Sequence, residues 1–169
     1  MRPAPKSPED LRLRPASEED AELVLELIRE LAAYERLLHE VEADPELIRA
    51  ALFGPNPRVF CDIAEIGGVT AGFALWFYSF STFRGRHGIY LEDLFVRPSN
   101  RGFGVGRALL AGLARRCAEE GLARLEWSVL DWNEPALGFY RALGAEPREG
   151  WSGFRLAGEA LARLGEATA

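Results

Sequence analysis

The spacing of apolar residues predicts one strand and two helices at the start of the chain. In "LRLRPAS" apolar and basic residues alternate, which predicts a strand ending near Pro15. Ser17 then begins a helix, because apolar residues recur at steps of three and four from there to about Leu38. The Ser17 side chain can accept a hydrogen bond from an early helical amide. A second helix is predicted in "DPELIRAALFG", where Asp44 is the N-cap and Gly54 lies just past the end.

The middle of the chain is rich in β-branched and aromatic residues. The stretches "RVFCDIAEI" and "VTAGFALWFYSF" are separated by Gly67 and Gly68, a pattern that predicts a β-hairpin. The polar stretch "TFRGRHG" predicts a loop, and "IYLEDLFVRP" predicts the next strand. An amphipathic helix follows in "VGRALLAGLARRC" and ends at Gly121.

The last third continues the alternation of strands and helices. "ARLEWSVLDW" predicts a strand, and "NEPALGFYRALG" predicts a helix capped by Asn133 and closed by Gly144. "AEPREGWSGFRLAG" predicts two short strands, followed by a helix from about Glu159. This order of elements predicts an α/β fold with a central mixed β-sheet and helices on both faces.

Length, charge and cysteine content narrow the class of protein. The 169 residues, 48% of them hydrophobic, predict a flexible tip over residues 1–10 and a single domain over 11–169. The net charge of -6 would repel a phosphate backbone, so we do not expect nucleic acid as a partner. No apolar segment has the length of a membrane span or of a signal-peptide core. We therefore expect a cytoplasmic protein without a membrane partner. Cys61 and Cys117 lie far apart in apolar patterns, which indicates reduced core cysteines and no metal site.

Three alternating glycines, Gly102, Gly104 and Gly106, stand between a predicted strand and a predicted helix. A dinucleotide-binding fingerprint would have a sixth-position glycine where this chain has Arg107, and a phosphate-binding P-loop would end in Gly-Lys-Ser or Gly-Lys-Thr. Unpaired amides at a helix N-terminus still attract phosphate, and Arg101 and Arg107 can add charge-assisted bonds. The alternative is a simple strand-to-helix turn.

The chain resembles the GNAT superfamily of acyl-CoA-dependent N-acetyltransferases. The family signature is Arg or Gln, two residues, Gly, one residue, then Gly or Ala, which Arg101, Gly104 and Gly106 match. The stretches "LIRELAAYE", "YLEDLFV", "RGFGVG" and "WNEPALGFYRALGA" resemble in particular the spermidine/spermine and thialysine acetyltransferase branch. The resemblance implies the GNAT acyl-CoA N-acyltransferase fold, acetyl-CoA as co-substrate and a homodimer.

The resemblance also implies how acetyl-CoA is bound. The strand before the glycines presents free backbone groups to the pantetheine arm, the loop amides bind the pyrophosphate, and Asn133 contacts the cofactor from a helix N-terminus, a role compatible with capping. The expected cofactor-binding residues are Leu94, Phe95, Val96, Arg101, Gly102, Phe103, Gly104, Val105, Gly106, Arg107 and Asn133.

Acetyl transfer to an amine demands a neutral nucleophile, a stabilised oxyanion and a proton for the departing thiolate. Glu92 and Asp93 lie in the middle of an apolar strand, where at least one carboxylate is expected to be partly buried. The alternative is a solvated or structurally paired acid. The resemblance assigns Glu92 as base, acting through water, and places both Glu92 and Asp93 among the residues that bind a cationic substrate. A strand amide near Leu94 would meet the oxyanion.

The candidate acid is Tyr140, because a phenol with a pKa near 10 can deliver a proton to an emerging thiolate. By pattern alone Tyr140 is an ordinary core tyrosine beside Leu137 and Leu143, and the resemblance assigns it the catalytic role. The resemblance adds substrate-contacting positions at Tyr34, Glu35 and Trp151. His39 and His87 lie in polar surroundings and are read as surface residues.

One loop departs from the polyamine enzymes. They carry an aspartate and a tryptophan where this chain has Thr82 and Arg84 in "STFRGRHG". The positive charge of Arg84 would repel a polycation. This favours a smaller diamine, or a lysine-like amino acid whose carboxylate Arg84 or Arg86 can bind. The sequence thus predicts acetyl-CoA-dependent N-acetyl transfer to a small cationic amine. The alternatives are a protein or peptide N-acetyltransferase and a non-catalytic acyl-CoA sensor.

Overall fold

The computed structural model describes residues 10–166, so all of the expected flexible tip except Asp10 lies outside the described residues. The described chain divides into two compact units, one ending at Ser128 and the other beginning at Val129. The single domain expected over residues 11–169 stays a prediction.

The first unit is built on a five-stranded mixed sheet, as the sequence predicts. The strands follow the chain order from β1 to β5, with antiparallel pairing throughout except for the parallel pair of β4 and β5. The β2–β3 hairpin turns at Gly67 and Gly68, both with positive φ, as predicted. The strands are β1 Leu11–Pro15, β2 Phe60–Ile66, β3 Val69–Ser81, β4 Arg86–Val96 and β5 Leu125–Trp127.

Three α-helices accompany this sheet: α1 Ala21–Tyr34, α2 Pro45–Phe53 and α3 Val105–Glu119. Short 3-10 turns cover Glu18–Asp20, Leu38–Glu40 and Pro98–Asn100. The cap predicted for α2 is present, because the Asp44 carboxylate accepts from the Leu47 amide at 2.8 Å. None of the helices over residues 10–166 combines the length and apolar content that a membrane span requires.

The start and the end of α1 differ from the sequence prediction. The α-helix begins at Ala21 rather than directly after Ser17, because Glu18–Asp20 forms a 3-10 turn. The predicted Ser17 cap is present as a capping box, in which the Ser17 side chain accepts from the Asp20 amide and the Asp20 carboxylate accepts from the Ser17 amide at 2.7 Å. The helix ends at Tyr34, four residues before the predicted Leu38, because Arg36 takes a left-handed backbone conformation with φ of 63°. The turn at Arg36 places the end of α1 beside the sheet.

The main core lies between the sheet and the α1–α2 pair. Phe73 is fully buried at its centre, and neighbouring strands contribute residues in register with it. Burial of this apolar surface is the principal stabilising contribution to the unit. The buried members are Val24, Leu27, Leu31, Leu52, Cys61, Ile63, Phe73, Leu75 and Phe95.

Helix α3 covers the opposite face of the sheet. Its Arg116 guanidinium lies 5.0 Å from the Trp76 ring centroid, and Trp76 directly follows Leu75 of the main core. Because successive strand residues point to opposite faces, α1 and α3 flank the sheet on its two sides. The predicted arrangement with helices on both faces is therefore confirmed.

Two ion-pair clusters join helices to strands. Arg14 on β1 binds the Asp20 carboxylate through both terminal nitrogens and Glu65 through Nε. The hydrogen bonds from Arg14 and Ser17 lower the pKa of Asp20 to about 2. Similarly, Arg97, just after β4, binds Glu30 and Glu26 of α1. Helix α1 is thus tied to the sheet just before its first residue, at Asp20, and along its middle turns, at Glu26 and Glu30.

The second unit contains two helices, α4 Glu134–Ala142 and α5 Gly158–Glu166, close to their predicted positions. Asn133 caps α4 by accepting from the Ala136 amide at 3.3 Å. The two short strands predicted between them are wrong, because residues 145–157 form no strand. A strand needs a paired neighbour for its backbone groups, and the described residues of this unit contain no strand that could supply one.

Candidate active site

The sheet changes its register at Glu92. Leu75 of β3 pairs with Asp93 of β4, whereas Trp76 pairs with Leu91, so Glu92 is an extra residue and forms a β-bulge. The bulge reverses which side chains of β4 face each helix layer. Asp93 faces α1 together with Leu75, and Glu92 is exposed at the bulge.

Asp93 lies close enough to Glu92 and Glu35 for their charges to act on it. Asp93 is partly buried, and burial followed by the charges of Glu92 and Glu35 raises its pKa to about 7. Glu35 follows the last residue of α1, is half-buried, and has a pKa raised by that burial. The sequence expectation of a partly buried carboxylate is confirmed, and the carboxylate is Asp93. The cluster combines negative charge with a carboxyl that titrates near neutral pH.

Beyond the bulge, one edge of β4 is open. The described pairing between β4 and β5 ends at Leu91 and Trp127. The Arg97 amide donates to Ala71 of β3, so by the alternation of an antiparallel ladder the polar backbone groups of Leu94 and Val96 point away from β3. Within the first unit they lie on the side where β5 no longer pairs with β4. The Val96 carbonyl accepts from Arg101 there, and among residues 10–166 no backbone partner is recorded for the Leu94 groups or the Val96 amide on that side.

The glycine loop follows this open edge at once. Gly102 and Gly104 have φ of 81° and 80°, and a Cβ atom at either position would meet no heavy atom within 4 Å. The first helical bond runs from the Ala108 amide to the Gly104 carbonyl at 2.9 Å. Over the described residues, no hydrogen-bond acceptor is recorded for the amides of residues 102–107. A row of free donors beside open space fits a diphosphate.

Arg101 holds the loop in place rather than extending freely. Its Nε donates to the Val96 carbonyl at 3.0 Å, and its guanidinium carbon lies 4.8 Å from the Tyr34 ring centroid and 6.0 Å from that of Phe95. Two predicted substrate or cofactor residues, Tyr34 and Phe95, are therefore brought together with the loop. Arg107, in the first turn of α3, is exposed.

The remaining predicted site residues belong to the second unit. Asn133 is buried at the start of α4, and Tyr140 lies half-buried near the end of that helix, with its ring 5.3 Å from Phe139. Trp151 is 73% exposed, and the guanidinium of Arg148 lies 5.0 Å from its ring centroid. The roles of all three remain predictions.

The other candidates for chemistry lie elsewhere. His39 is exposed beside Glu40, and His87 is exposed beside Phe80. Cys61 is a buried core residue whose thiol has a pKa raised by burial, and Cys117 is half-buried. Over residues 10–166 no group of three or more His, Cys, Asp or Glu side chains is arranged to hold a metal ion.

Two positions beside the site were missed from the sequence. Arg97 fixes the end of β4 against Glu26 and Glu30 of α1. Asn100 directly precedes the loop, is 2% exposed, accepts from the Ser99 hydroxyl, and has no partner for Nδ2 in the described part of the chain. The i, i+4 spacing of Glu26 and Glu30 can be read from the sequence. Their partner Arg97 cannot, because it lies 67 residues after Glu30.

The chain is similar to known acetyltransferases. Residues 23–145 match the model of the acetyltransferase (GNAT) family. A thialysine N-epsilon-acetyltransferase of Bos taurus is 41% identical over an alignment of 163 residues, covering 90% of this chain and 95% of that protein. The spermidine/spermine N(1)-acetyltransferase-like protein 1 of Homo sapiens is 31% identical over 160 residues, covering 89% of this chain and 23% of that protein.

A solved structure agrees in fold. An integron cassette protein from the mobile metagenome of V. cholerae is similar with a TM-score of 0.78 and 25% sequence identity, covering 94% of this chain and 99% of that one. The family match spans well over half of the chain, and it includes the bulged strand and the glycine loop. The chain belongs to the acetyltransferase (GNAT) family and is an N-acetyltransferase.

Proposed function

We propose that the protein transfers an acetyl group from acetyl-CoA directly to a primary amine of a small cationic substrate: a diamine, a polyamine or a lysine-like amino acid. The observation that carries the proposal is the juxtaposition, within one unit, of free loop amides, an open β4 edge and three carboxylates. The amides and the open edge suit a diphosphate with an extended arm. The carboxylates suit an ammonium group.

Acetyl-CoA, the co-substrate of GNAT enzymes, supplies the acetyl thioester. In our proposal the amides of Gly102 to Arg107 bind its pyrophosphate, and the backbone of Leu94 to Val96 binds its pantetheine arm. The left-handed glycines support this role, since a side chain at Gly102 or Gly104 would be strained at positive φ and would project into the open space beside the loop. Asn133 is proposed as a further cofactor contact on the family resemblance.

The chemistry divides among backbone, carboxylates and a phenol. The Leu94 amide, turned away from β3, is proposed to donate to the developing oxyanion. The carboxylates Glu35, Glu92 and Asp93 bind the ammonium and remove its proton, with Tyr34 and Trp151 as further substrate contacts. Tyr140 protonates the thiolate as the carbon–sulfur bond breaks, an assignment that rests on the resemblance in "FYRALGA".

The β3–β4 loop bears on the choice of amine. Arg86 begins β4, and Asp93 lies seven residues further on, a separation of roughly 23 Å at about 3.3 Å per residue. A lysine-like substrate with its amine at Asp93 is far too short to reach Arg84 or Arg86 of the same chain. The sequence hypothesis that these arginines bind the substrate carboxylate is therefore not supported within one chain. The comparison proteins named for thialysine and for spermidine/spermine support testing amino acids and polyamines alike.

The function is tested by release of free thiol from acetyl-CoA with a panel of diamines, polyamines, lysine analogues and short peptides. We expect turnover with at least one small cationic amine and little with peptides. Turnover with peptides alone would favour the protein N-acetyltransferase alternative. Acetyl-CoA binding without turnover on any amine would favour the acyl-CoA sensor and contradict the proposal.

A homodimer and a cytoplasmic location also belong to the proposal. The homodimer follows from the family resemblance, and the two free cysteines support the location. Gel filtration with light scattering checks the dimer.

A further inference from the structure

The three carboxylates of the site differ in their surroundings, and this difference bears on which of them takes the proton. The question rests on the proposed function, because it concerns the same amine. The sequence assigned the proton to Glu92 and substrate binding to Asp93. The bulge in β4 separates these neighbours into two environments.

The bulge turns Asp93 toward the interior of the unit. Asp93 pairs with Leu75 of β3, and Leu75 in turn pairs with Cys61 of β2, so the three form one row across the sheet. Leu75 and Cys61 belong to the buried core that faces α1. Glu92, the extra residue, has no counterpart in this row and is exposed. One carboxyl is thus held at the border of the core, and the other is in solvent.

The groups that face Asp93 come from three elements. Glu35 approaches from the end of α1, the Cys61 thiol lies on β2, and Glu92 adjoins it on β4. Leu75, directly opposite on β3, is apolar. No cation is among the interactions recorded for Asp93 in the described chain. Burial and like charge both favour the protonated form, which places the pKa of Asp93 at about 7.

We propose that Asp93 is the general base that accepts the proton of the substrate ammonium, and that Glu92 and Glu35 hold the positive charge of the substrate beside it. A base is most effective when its proton affinity matches the working pH, and an ordinary exposed carboxylate is a weaker base by about three pKa units. Glu92, being exposed at the mouth of the bulge, is suited to attract the cation without losing its own solvation.

The proton balance of the step is simple. One N–H bond of the ammonium breaks and one O–H bond forms on Asp93, which leaves an electron pair on nitrogen to attack the thioester carbonyl carbon. As the carbon–sulfur bond breaks, the sulfur receives a proton and the nitrogen loses its second one. Asp93 then releases its proton to solvent, so the products are the amide, the thiol of CoA and one proton.

The test is the pH dependence of kcat/KM between about pH 5.5 and 8.5 for the wild type and for Asp93→Asn, Asp93→Glu, Glu92→Gln and Glu35→Gln. The wild type should lose rate below about pH 7. This fall in kcat/KM on the acidic side is the acidic limb of the pH profile. Asp93→Asn should lose about 100-fold or more in kcat, as is typical for removal of a general base, and its profile should lack the limb near pH 7. Asp93→Glu should retain a limb and part of the rate.

The charge-binding variants should behave differently. Glu92→Gln and Glu35→Gln each remove a negative neighbour of Asp93, which lowers its pKa and moves the limb to lower pH. Their main loss should be a higher KM for the amine. If Glu92→Gln abolishes the limb and Asp93→Asn keeps it, Glu92 is the base and our inference is overturned.

Two further measurements separate catalysis from structure. A fluorinated substrate analogue has a lower amine pKa and is therefore more often neutral before it binds. With this analogue, the loss of rate in Asp93→Asn relative to the wild type should be smaller. An unchanged loss would contradict a role for Asp93 as base. The carboxyl carbon of Asp93, followed by NMR without acetyl-CoA, should titrate near pH 7 and at lower pH in Glu92→Gln. A midpoint near pH 4 overturns the inference even if no amine is a substrate, whereas an inactive wild type overturns the proposed function alone.

Discussion

The guanidinium carbon of Arg101 lies 4.8 Å from the centroid of the Tyr34 ring, and its Nε donates to the Val96 carbonyl. This one side chain therefore joins the end of α1, the end of β4 and the start of the glycine loop. The contact needs a planar guanidinium with a donor in a fixed direction, which an ammonium does not provide.

We expect Arg101→Lys to disturb the loop although it keeps the charge. The KM for acetyl-CoA should rise about tenfold, because loss of the bond to Val96 and of the stacking on Tyr34 frees the loop. Arg115→Lys is the matched control, since Arg115 is exposed on α3 about ten residues beyond the loop and has no recorded contact in the described chain. Steady-state kinetics with varied acetyl-CoA checks both. Full activity of Arg101→Lys would show that charge alone suffices.

Gly104→Ala tests whether the loop amides bind phosphate. A side chain in this left-handed conformation costs about 1 kcal/mol and places a methyl group in the open space before the amides. We expect a higher Kd for CoA by calorimetry. Gly121→Ala is the control, because Gly121 also has a positive φ of 64° and open space, but it lies beyond the far end of α3. If both variants lose the same CoA affinity, the loss arises from backbone strain and not from obstruction of the loop amides.

Tyr140→Phe tests the proposed acid. Removal of a proton donor should lower kcat by about 100-fold or more while the Kd for acetyl-CoA is unchanged. Tyr78→Phe serves as the control, since it removes a phenol that donates to Glu120 at 2.7 Å on the α3 face of the sheet. An unchanged kcat of Tyr140→Phe would show that Tyr140 is not the general acid.

The Arg14–Asp20 ion pair is expected to make the free energy of unfolding depend on pH. The pKa of Asp20 is lowered to about 2 in the folded protein, so the pair stabilises the fold above about pH 4, and this contribution is lost as the pH falls from 4 to 2. The contribution is about 2 kcal/mol, by the conversion of a pKa difference into free energy. Urea unfolding of the wild type and Asp20→Asn should differ by this amount at pH 6 and converge near pH 2. A constant difference would contradict the assignment.

Local sequence signals predicted the elements that carry their own start and stop residues. The β2–β3 hairpin was marked by Gly67 and Gly68, and α2 by Asp44 and Gly54. The end of α1 was not predictable, because arginine seldom takes the left-handed conformation that Arg36 adopts. The two strands expected over residues 145–157 failed because a strand is defined by its partner, which the local pattern does not reveal.

The composition of the site was predictable, whereas its internal arrangement was not. The glycine loop and the paired acids of β4 were visible as motifs. Which of the acids is buried depends on the bulge at Glu92, and the bulge is a property of the pairing between β3 and β4. The contact of Arg101 with Tyr34 joins residues 67 positions apart and likewise arises only in the folded chain.

The separation of β4 from β5 after Leu91 has a consequence for the life of the protein in the cell. An unsatisfied strand edge is a template for association with other chains, and in our proposal the pantetheine arm covers it. Saturating acetyl-CoA would therefore act as a folding ligand by mass action, contributing about 2.7 kcal/mol at one hundred times its Kd. Starvation of the coenzyme pool would then both stop catalysis and shorten the lifetime of the protein itself.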